Sequence, residues 1–352
     1  MNYYILPKNN VKLKIFFEVV EPNDDTIYIS HTLNSSLLIT NNHIKKYSTT
    51  EVDDISKKIN PYEFIFSNVT DGSLSISKLK PESNIYYELR EIICTFNILD
   101  YFEKLNNGCD FIHVGENNES INLLLNTVSN NGDTKFSCDF NHFSDIDKFK
   151  TLNNTDFSIF ECGNNDRGFQ INKLIFVLYI ICLKMNENGS LIIKLDELTQ
   201  KATIDIIFIM NNLFEKVYLM KPLLSNILKN ENYVICKNFI GPQASIYVPV
   251  LEQCVLKIIR GEMQNTKIIS ILKNNLSVIF LTKIEEYNAI FGQQLLESKD
   301  QLISIINNKN KFDKIDALKR TNIQKGIAWC EKYDIPHNKF SEKINIFLNV
   351  ET

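Results

Sequence analysis

The sequence predicts an α/β fold, a Rossmann-like sandwich in which a mostly parallel sheet carries helices on both faces. Between residues 110 and 239, short apolar runs of strand length alternate with helical stretches, the pattern left when each strand returns through a crossover helix. The last two runs, Lys216 to Met220 and Tyr233 to Phe239, flank Lys221-Pro222 closely and fit an antiparallel pair at one edge. A chain of 352 residues with 44% hydrophobic content has enough apolar material to bury such a core and still carry flanking segments.

Residues 1–80 read as a small mixed region: β-prone runs at Tyr3 to Leu6, Leu13 to Val19 and Thr26 to Ser30 are separated by asparagine-rich turns. Ile59-Asn60-Pro61-Tyr62-Glu63 reads as a turn into a helix, because proline suits the first helical turn and the acid suits the dipole there. Ser83 to Phe102 places apolar residues at 85, 89, 92, 93, 96 and 99, one face of a helix. The core, residues 81–240, then supplies strand and helix candidates in turn: Asp110 to Val114, Ser120 to Val128, Lys135 to Asp139, Asp156 to Glu161, Asn172 to Leu183, Ser190 to Lys194, Thr203 to Leu213, and the final strand pair. After Gly241-Pro242, residues 241–352 read as a helical extension, with periodic runs at Val250 to Ile259, Ile268 to Leu276, Leu281 to Phe291 and Gln293 to Ile306.

A net charge of −4 argues against nonspecific coating of nucleic acid, which needs a positive surface. Lys309 to Lys343 is locally basic, with nine Lys or Arg against five acids, and reads first as a solvated helix face. The longest strongly apolar run, Leu174 to Leu183, is too short to cross a bilayer, and no basic segment leads into an apolar one at the start, so neither a membrane span nor a secretion signal is expected. Eight scattered cysteines without a Cys-x-x-Cys pair or a zinc-like histidine spacing read as free thiols of a cytoplasmic protein, with no metal site. His113, His142 and His337 read as isolated, and Trp329 as an anchor for the C-terminal helices.

The most informative stretch is Gly189 to Phe239. Gly189-Ser190-Leu191-Ile192-Ile193-Lys194 ends a buried strand on a lysine, a helix leads to Leu213-Phe214-Glu215-Lys216-Val217-Tyr218-Leu219-Met220-Lys221-Pro222, and Asn230-Glu231-Asn232-Tyr233-Val234-Ile235-Cys236-Lys237-Asn238-Phe239 closes the unit. This run resembles the second half of the FtsJ-like RNA ribose 2′-O-methyltransferases, and the resemblance extends over residues 59 to 240. The long flanks resemble the extended members found in large cytoplasmic DNA viruses. The family's fold, a Rossmann-like methyltransferase sandwich, is thereby implied, with S-adenosylmethionine as cofactor and RNA as substrate.

The family surrounds the ribose hydroxyl with a Lys-Asp-Lys-Glu tetrad whose second lysine accepts the proton. Carried over by position, Lys194 matches that lysine and Glu231 the final glutamate, while Glu161 stands at the aspartate and Glu88, in the helix Ser83 to Ile92, at the first lysine. Three carboxylates around one ammonium favour its charged form, so Lys194 is expected to be a poor base; Lys78 or Lys80 is the nearest substitute cation. In the family's cofactor loop, glycines let the backbone approach the methyl donor. Here Asp110-Phe111-Ile112-His113-Val114 is followed by Gly115-Glu116-Asn117-Asn118-Glu119, with Glu119 expected near the helix start that would receive the donor's carboxylate. Of possible cofactor contacts Gly115, Glu116 and Asp139 remain.

Three functions follow from these expectations. The first is a methyltransferase fold without turnover that does not bind S-adenosylmethionine and serves as a binding or assembly module for other proteins, viral ones included. The second is an active RNA cap 2′-O-methyltransferase, and the third an RNA-binding accessory subunit.

Overall fold

The computed structural model describes residues 3–9, 11–21, 27–69, 74–99, 109–128, 133–140, 146–163, 166–241, 244–263, 265–308 and 312–338. In chain order the N-terminal part gives β1 (Tyr3–Ile5), β2 (Ile15–Val20), α1 (His31–Ile44), α2 (Thr49–Ile59) and α3 (Glu63–Phe66). The core follows as α4 (Ile85–Phe96), β3 (Asp110–Val114), α5 (Asn118–Val128), β4 (Thr134–Cys138), α6 (Ile146–Thr151), β5 (Thr155–Glu161), α7 (Arg167–Lys184), β6 (Met185–Leu195), α8 (Lys201–Leu213), β7 (Phe214–Met220) and β8 (Asn232–Phe239). The remainder is α9 (Val248–Ile259), β9 (Lys267–Leu272), α10 (Val278–Asn307) and α11 (Phe312–Lys332).

Seven strands form one sheet in the order β1-β7-β8-β6-β5-β3-β4. β4, β3, β5 and β6 run parallel, whereas β8 is antiparallel to both β6 and β7, and β1 is antiparallel to β7. The fold is therefore the Rossmann-like sandwich the alternation implies, including its antiparallel edge.

Each central strand alternates between two cores, as a sheet covered on both faces requires. Leu191, Ile193 and Leu195 of β6 join Ile112, Val114, Phe160 and Val234 on the face covered by α7 and α8. Ile192 joins Phe111, Phe157, Ile159, Tyr233 and Ile235 under α4, α5 and the end of α11. The longer α7 begins at Asp166, whose side chain accepts from the amides of Gly168 and Phe169 and so satisfies two of the helix's unpaired donors.

Several elements differ from the sequence reading. Ile268 to Leu276 is not helical: Lys267–Leu272 forms β9, which pairs antiparallel with β2 in a separate two-stranded ribbon. Of the run Thr26 to Ser30, Thr26 lies outside the described residues and 27–30 form no strand; α1 begins directly after it. Of the basic stretch, residues 309–311 and 339–343 lie outside the described residues, as does His142. The N-terminal residues are woven into the rest: β1 extends the main sheet, and α1 and α2 pack against α10. No described helix is long and apolar enough to cross a membrane.

Candidate functional site

Parallel strands deliver their carboxyl ends to one rim, and strand register decides which side chains meet there. Lys194 lies opposite Glu161 of β5 on one side and Tyr233 of β8 on the other, so the three project from the same face. Helix α4 covers that face and lowers Glu88 onto it.

The Lys194 ammonium donates to Glu88 Oε2 at 2.9 Å and sits 3.7 Å from Glu231 Oε1. Tyr233, fully buried, donates its hydroxyl to the same Glu88 oxygen, and the lysine lies 5.6 Å from the tyrosine ring. Asn84 Nδ2 holds the Leu224 carbonyl at 2.7 Å and approaches Glu88 Oε1 at 3.4 Å, tying α4 to the loop after β7. Burial alone would lower the lysine's pKa, but the charges of Glu88 and Glu231 and the bond to Glu88 outweigh it and raise it above its ordinary value. These partners favour the charged form of the lysine, which opposes its use as a base.

Lys221, one residue past β7, responds in the opposite sense. Burial pulls it down to about 8, against the pull of Glu231 and Glu88 and with the help of Lys194 and Lys299. Its ammonium donates to the Lys229 carbonyl.

Glu161 belongs to a different assembly. Although register places it beside Lys194, its carboxylate turns toward the loop after β3, where Oε1 accepts from the Asn117 amide and lies 3.0 Å from His113 Nε2, and Oε2 accepts from Asn117 Nδ2. It acts on Lys194 only through its charge. Burial would raise the carboxyl's pKa, yet the bond and charge from His113 and the donors of Asn117 hold it below the ordinary carboxylate value.

His113 is not isolated, as the sequence reading held; its other ring nitrogen lies 2.7 Å from Ser137 Oγ. The hydrogens of this chain can be assigned from one end. Asp139 accepts, so Asn118 presents its amide nitrogen there at 2.8 Å and its oxygen to Ser137, which donates at 2.5 Å. The buried imidazole is thereby held between Ser137 Oγ and the Glu161 carboxylate.

This network lies where the resemblance places the methyl donor, and the residues do not fit that group. A Cβ built on Gly115 would come within 2.7 Å of the Cβ and Cδ of Glu161, so the side chain fills the space above the glycine. Asp139, the acid suited to a ribose, already accepts from Asn118. Glu116 and Glu119 are both exposed; the crowding expected from Glu119 comes instead from Glu161.

Two clefts open beside the rim and share Lys229 and Glu231 as their common wall. The smaller, about 260 Å³, is lined by Lys194 and Glu88 with Tyr62, Phe66, Asn84 and Asn226. The larger, about 780 Å³, runs between α1, α10 and the loops after β5 and β6. The substitute cations do not enter either wall: Lys80 donates to Ser75 Oγ at 2.6 Å, and Lys78 is exposed. Trp329 is the core anchor expected, buried against Tyr87 and Tyr333 with its indole donating to the buried Glu91 at 3.1 Å. Among the described residues no group of His, Cys, Asp or Glu is placed to hold a metal.

No family model and no curated protein matches this chain. Among solved structures it is similar to phosphoethanolamine N-methyltransferase 2 of Haemonchus contortus, seen with phosphomonomethylethanolamine and S-adenosylhomocysteine and, separately, with S-adenosylmethionine. The identity is 13% and the TM-score 0.30, over 44% of this chain and 38% of the enzyme's. A protein described as a hemolysin of Streptococcus thermophilus gives 10% identity and a TM-score of 0.30 over 53% of this chain and 78% of its own. Likenesses this slight carry no function across, and the architecture stands on the strand order and register above.

Proposed function

We propose that this chain is a methyltransferase-fold protein without turnover, working as a binding or assembly module. The observation that carries the reading is the Glu161 carboxylate, lodged on Gly115 and bonded to His113 and Asn117, in the volume that the resemblance assigns to a methyl donor. Lys194, held protonated between Glu88 and Glu231, supports it from the other half of the site. The resemblance to FtsJ-like proteins suggests the setting: an RNA-processing or particle assembly in the cytoplasm, viral in the extended form, with other proteins or RNA as partners.

Calorimetry with S-adenosylmethionine and S-adenosylhomocysteine tests this directly. No saturable heat is expected up to millimolar ligand, and micromolar binding of either would overturn the proposal. An active RNA 2′-O-methyltransferase is the competing reading, favoured by the accessible Lys194–Glu231 pair in the smaller cleft. It requires both donor binding and loss of methyl transfer to capped RNA in Lys194→Ala.

A further inference from the structure

The larger cleft has walls of opposite character. On the helical wall, α1 contributes Asn34, Leu37, Leu38 and Asn41, and α10 contributes Leu295 and Lys299. Lys299 is only 9% exposed, and its ammonium donates to Asn41 Oδ1, a neutral acceptor. Among the described residues no carboxylate stands within ion-pair reach of it. An ammonium has three hydrogens to place, and a buried one is stabilised in its charged form by a compensating negative charge. Burial lowers its pKa, and its field contributes to the lowering of Lys221 as well, so the end of the cleft near Lys299 is short of negative charge.

The facing wall is acidic, with Glu116, Asp196, Glu197 and Glu231. Arg167 closes on Glu197 at 2.8 Å, and Glu231 at the shared wall has Lys194 at 3.7 Å and the largely exposed Lys229 at 4.0 Å, so each of these two carboxylates has a cation beside it. Gln170 on the same side turns its oxygen to the Asp196 amide at 2.9 Å. The arrangement discriminates between ligands: an extended polyanion would run along several carboxylates, whereas one compact anionic group at the helical wall avoids them.

We propose that this cleft binds a phosphorylated small molecule, its phosphate on Lys299 within reach of Lys229 and its hydroxyl or amino groups toward Glu231, Asp196 and Glu116. A phosphate monoester brings close to two negative charges on a compact group, which lysine meets as a point charge. The volume is that of a site for a nucleotide or sugar phosphate. This site is separate from the filled space above Gly115 and stands whether or not a methyl donor binds.

The test uses the full chain, with calorimetry and thermal unfolding at constant ionic strength against inorganic phosphate, ribose 5-phosphate, adenosine 5′-monophosphate, ribose and adenosine. At least one phosphate ester is expected to bind saturably below millimolar and to raise the unfolding temperature, with the unphosphorylated partners inert. The tighter ester identifies the body the acidic wall accepts. Lys299→Met should unfold at a higher temperature than the parent in phosphate-free buffer, because a buried charge is gone, and should bind the ester at least tenfold more weakly. Lys229→Gln, a surface change that leaves folding intact, should weaken it severalfold. The proposal fails if neither ester binds, if inorganic phosphate binds as tightly as both esters, or if folded Lys299→Met keeps the parent's affinity.

Discussion

Glu161 and Lys194 are neighbours across two strands, yet they belong to separate hydrogen-bonded groups, and the difference is measurable. Glu161 titrates below its ordinary value of 4.5 in the fold, so the stability it contributes is full above that value and is lost as pH falls through the folded pKa. Glu161→Gln should cost about 2–4 kcal/mol near neutrality, because it removes the buried charge and turns one acceptor oxygen into an NH2 among the donors of His113 and Asn117, and the deficit should shrink in urea titrations below pH 4. A deficit that stays constant from pH 7 to pH 3 would refute the lowered pKa of Glu161. Lys194 and Glu88 are coupled directly, with side chains 18% and 3% exposed. A double-mutant cycle with Lys194→Met and Glu88→Gln should return about 2–4 kcal/mol of interaction. A value near zero would mean that Tyr233 alone satisfies the glutamate. Lys194, Glu88 and Glu231 were legible in the sequence because each sits in a local string of recognisable type. The His113 group was not, since its partners lie 24 and 48 residues away and only strand register joins them.

Elements were legible where period and length agreed. The alternation from β3 to β8 carried the sheet, because buried parallel strands and their covering helices leave runs of clearly different length. Lys267-Ile268-Ile269-Ser270-Ile271-Leu272 was misread as helix: a short apolar run has no decisive period. Helix α1 was missed for the opposite reason, since no residue on it is fully buried and its apolar stripe is weak. What holds β9 in place is also invisible in sequence. The buried Asp205 on α8 accepts from Ile271 N at 2.9 Å, Leu272 N at 3.2 Å and Ser270 Oγ at 2.9 Å, and pairs with Lys201. Asp205→Ala should therefore cost about 3 kcal/mol and leave two strand amides without an acceptor. Hydrogen exchange at Ile271 and Leu272 should accelerate more than exchange in β6; equal protection in both strands would exclude this anchoring.

For the molecule as a whole, the flanks complete the core. β1 covers the outer edge of β7, and Lys8 just beyond it donates to the carbonyls of Asn211 at 2.9 Å and Phe214 at the end of α8 at 2.6 Å. Removing residues 1–8 should expose an unpaired edge and open that helix end, lowering the unfolding temperature by on the order of 5 °C and promoting self-association. Thermal scans and sedimentation velocity would measure both, and an unchanged unfolding temperature and sedimentation coefficient would show that the edge needs no cover. This long-range weave was hidden because β1 and β7 are separated by most of the core and both read as ordinary strand candidates. Helices α1 and α10 meet in the same way, so closely that a Cβ on Gly292 would come within 3.0 Å of Leu33 Cγ.

That crossing orders events during synthesis. A nascent chain extruded from the ribosome only as far as residue 260 already holds every strand of the seven-stranded sheet, whose last member ends at Phe239. Leu295 and Lys299 have yet to emerge, so α1 waits without its mate and the large cleft has one wall. The sheet can close while the chain is still growing, whereas ligand capture at Lys299 must wait until α10 has been made.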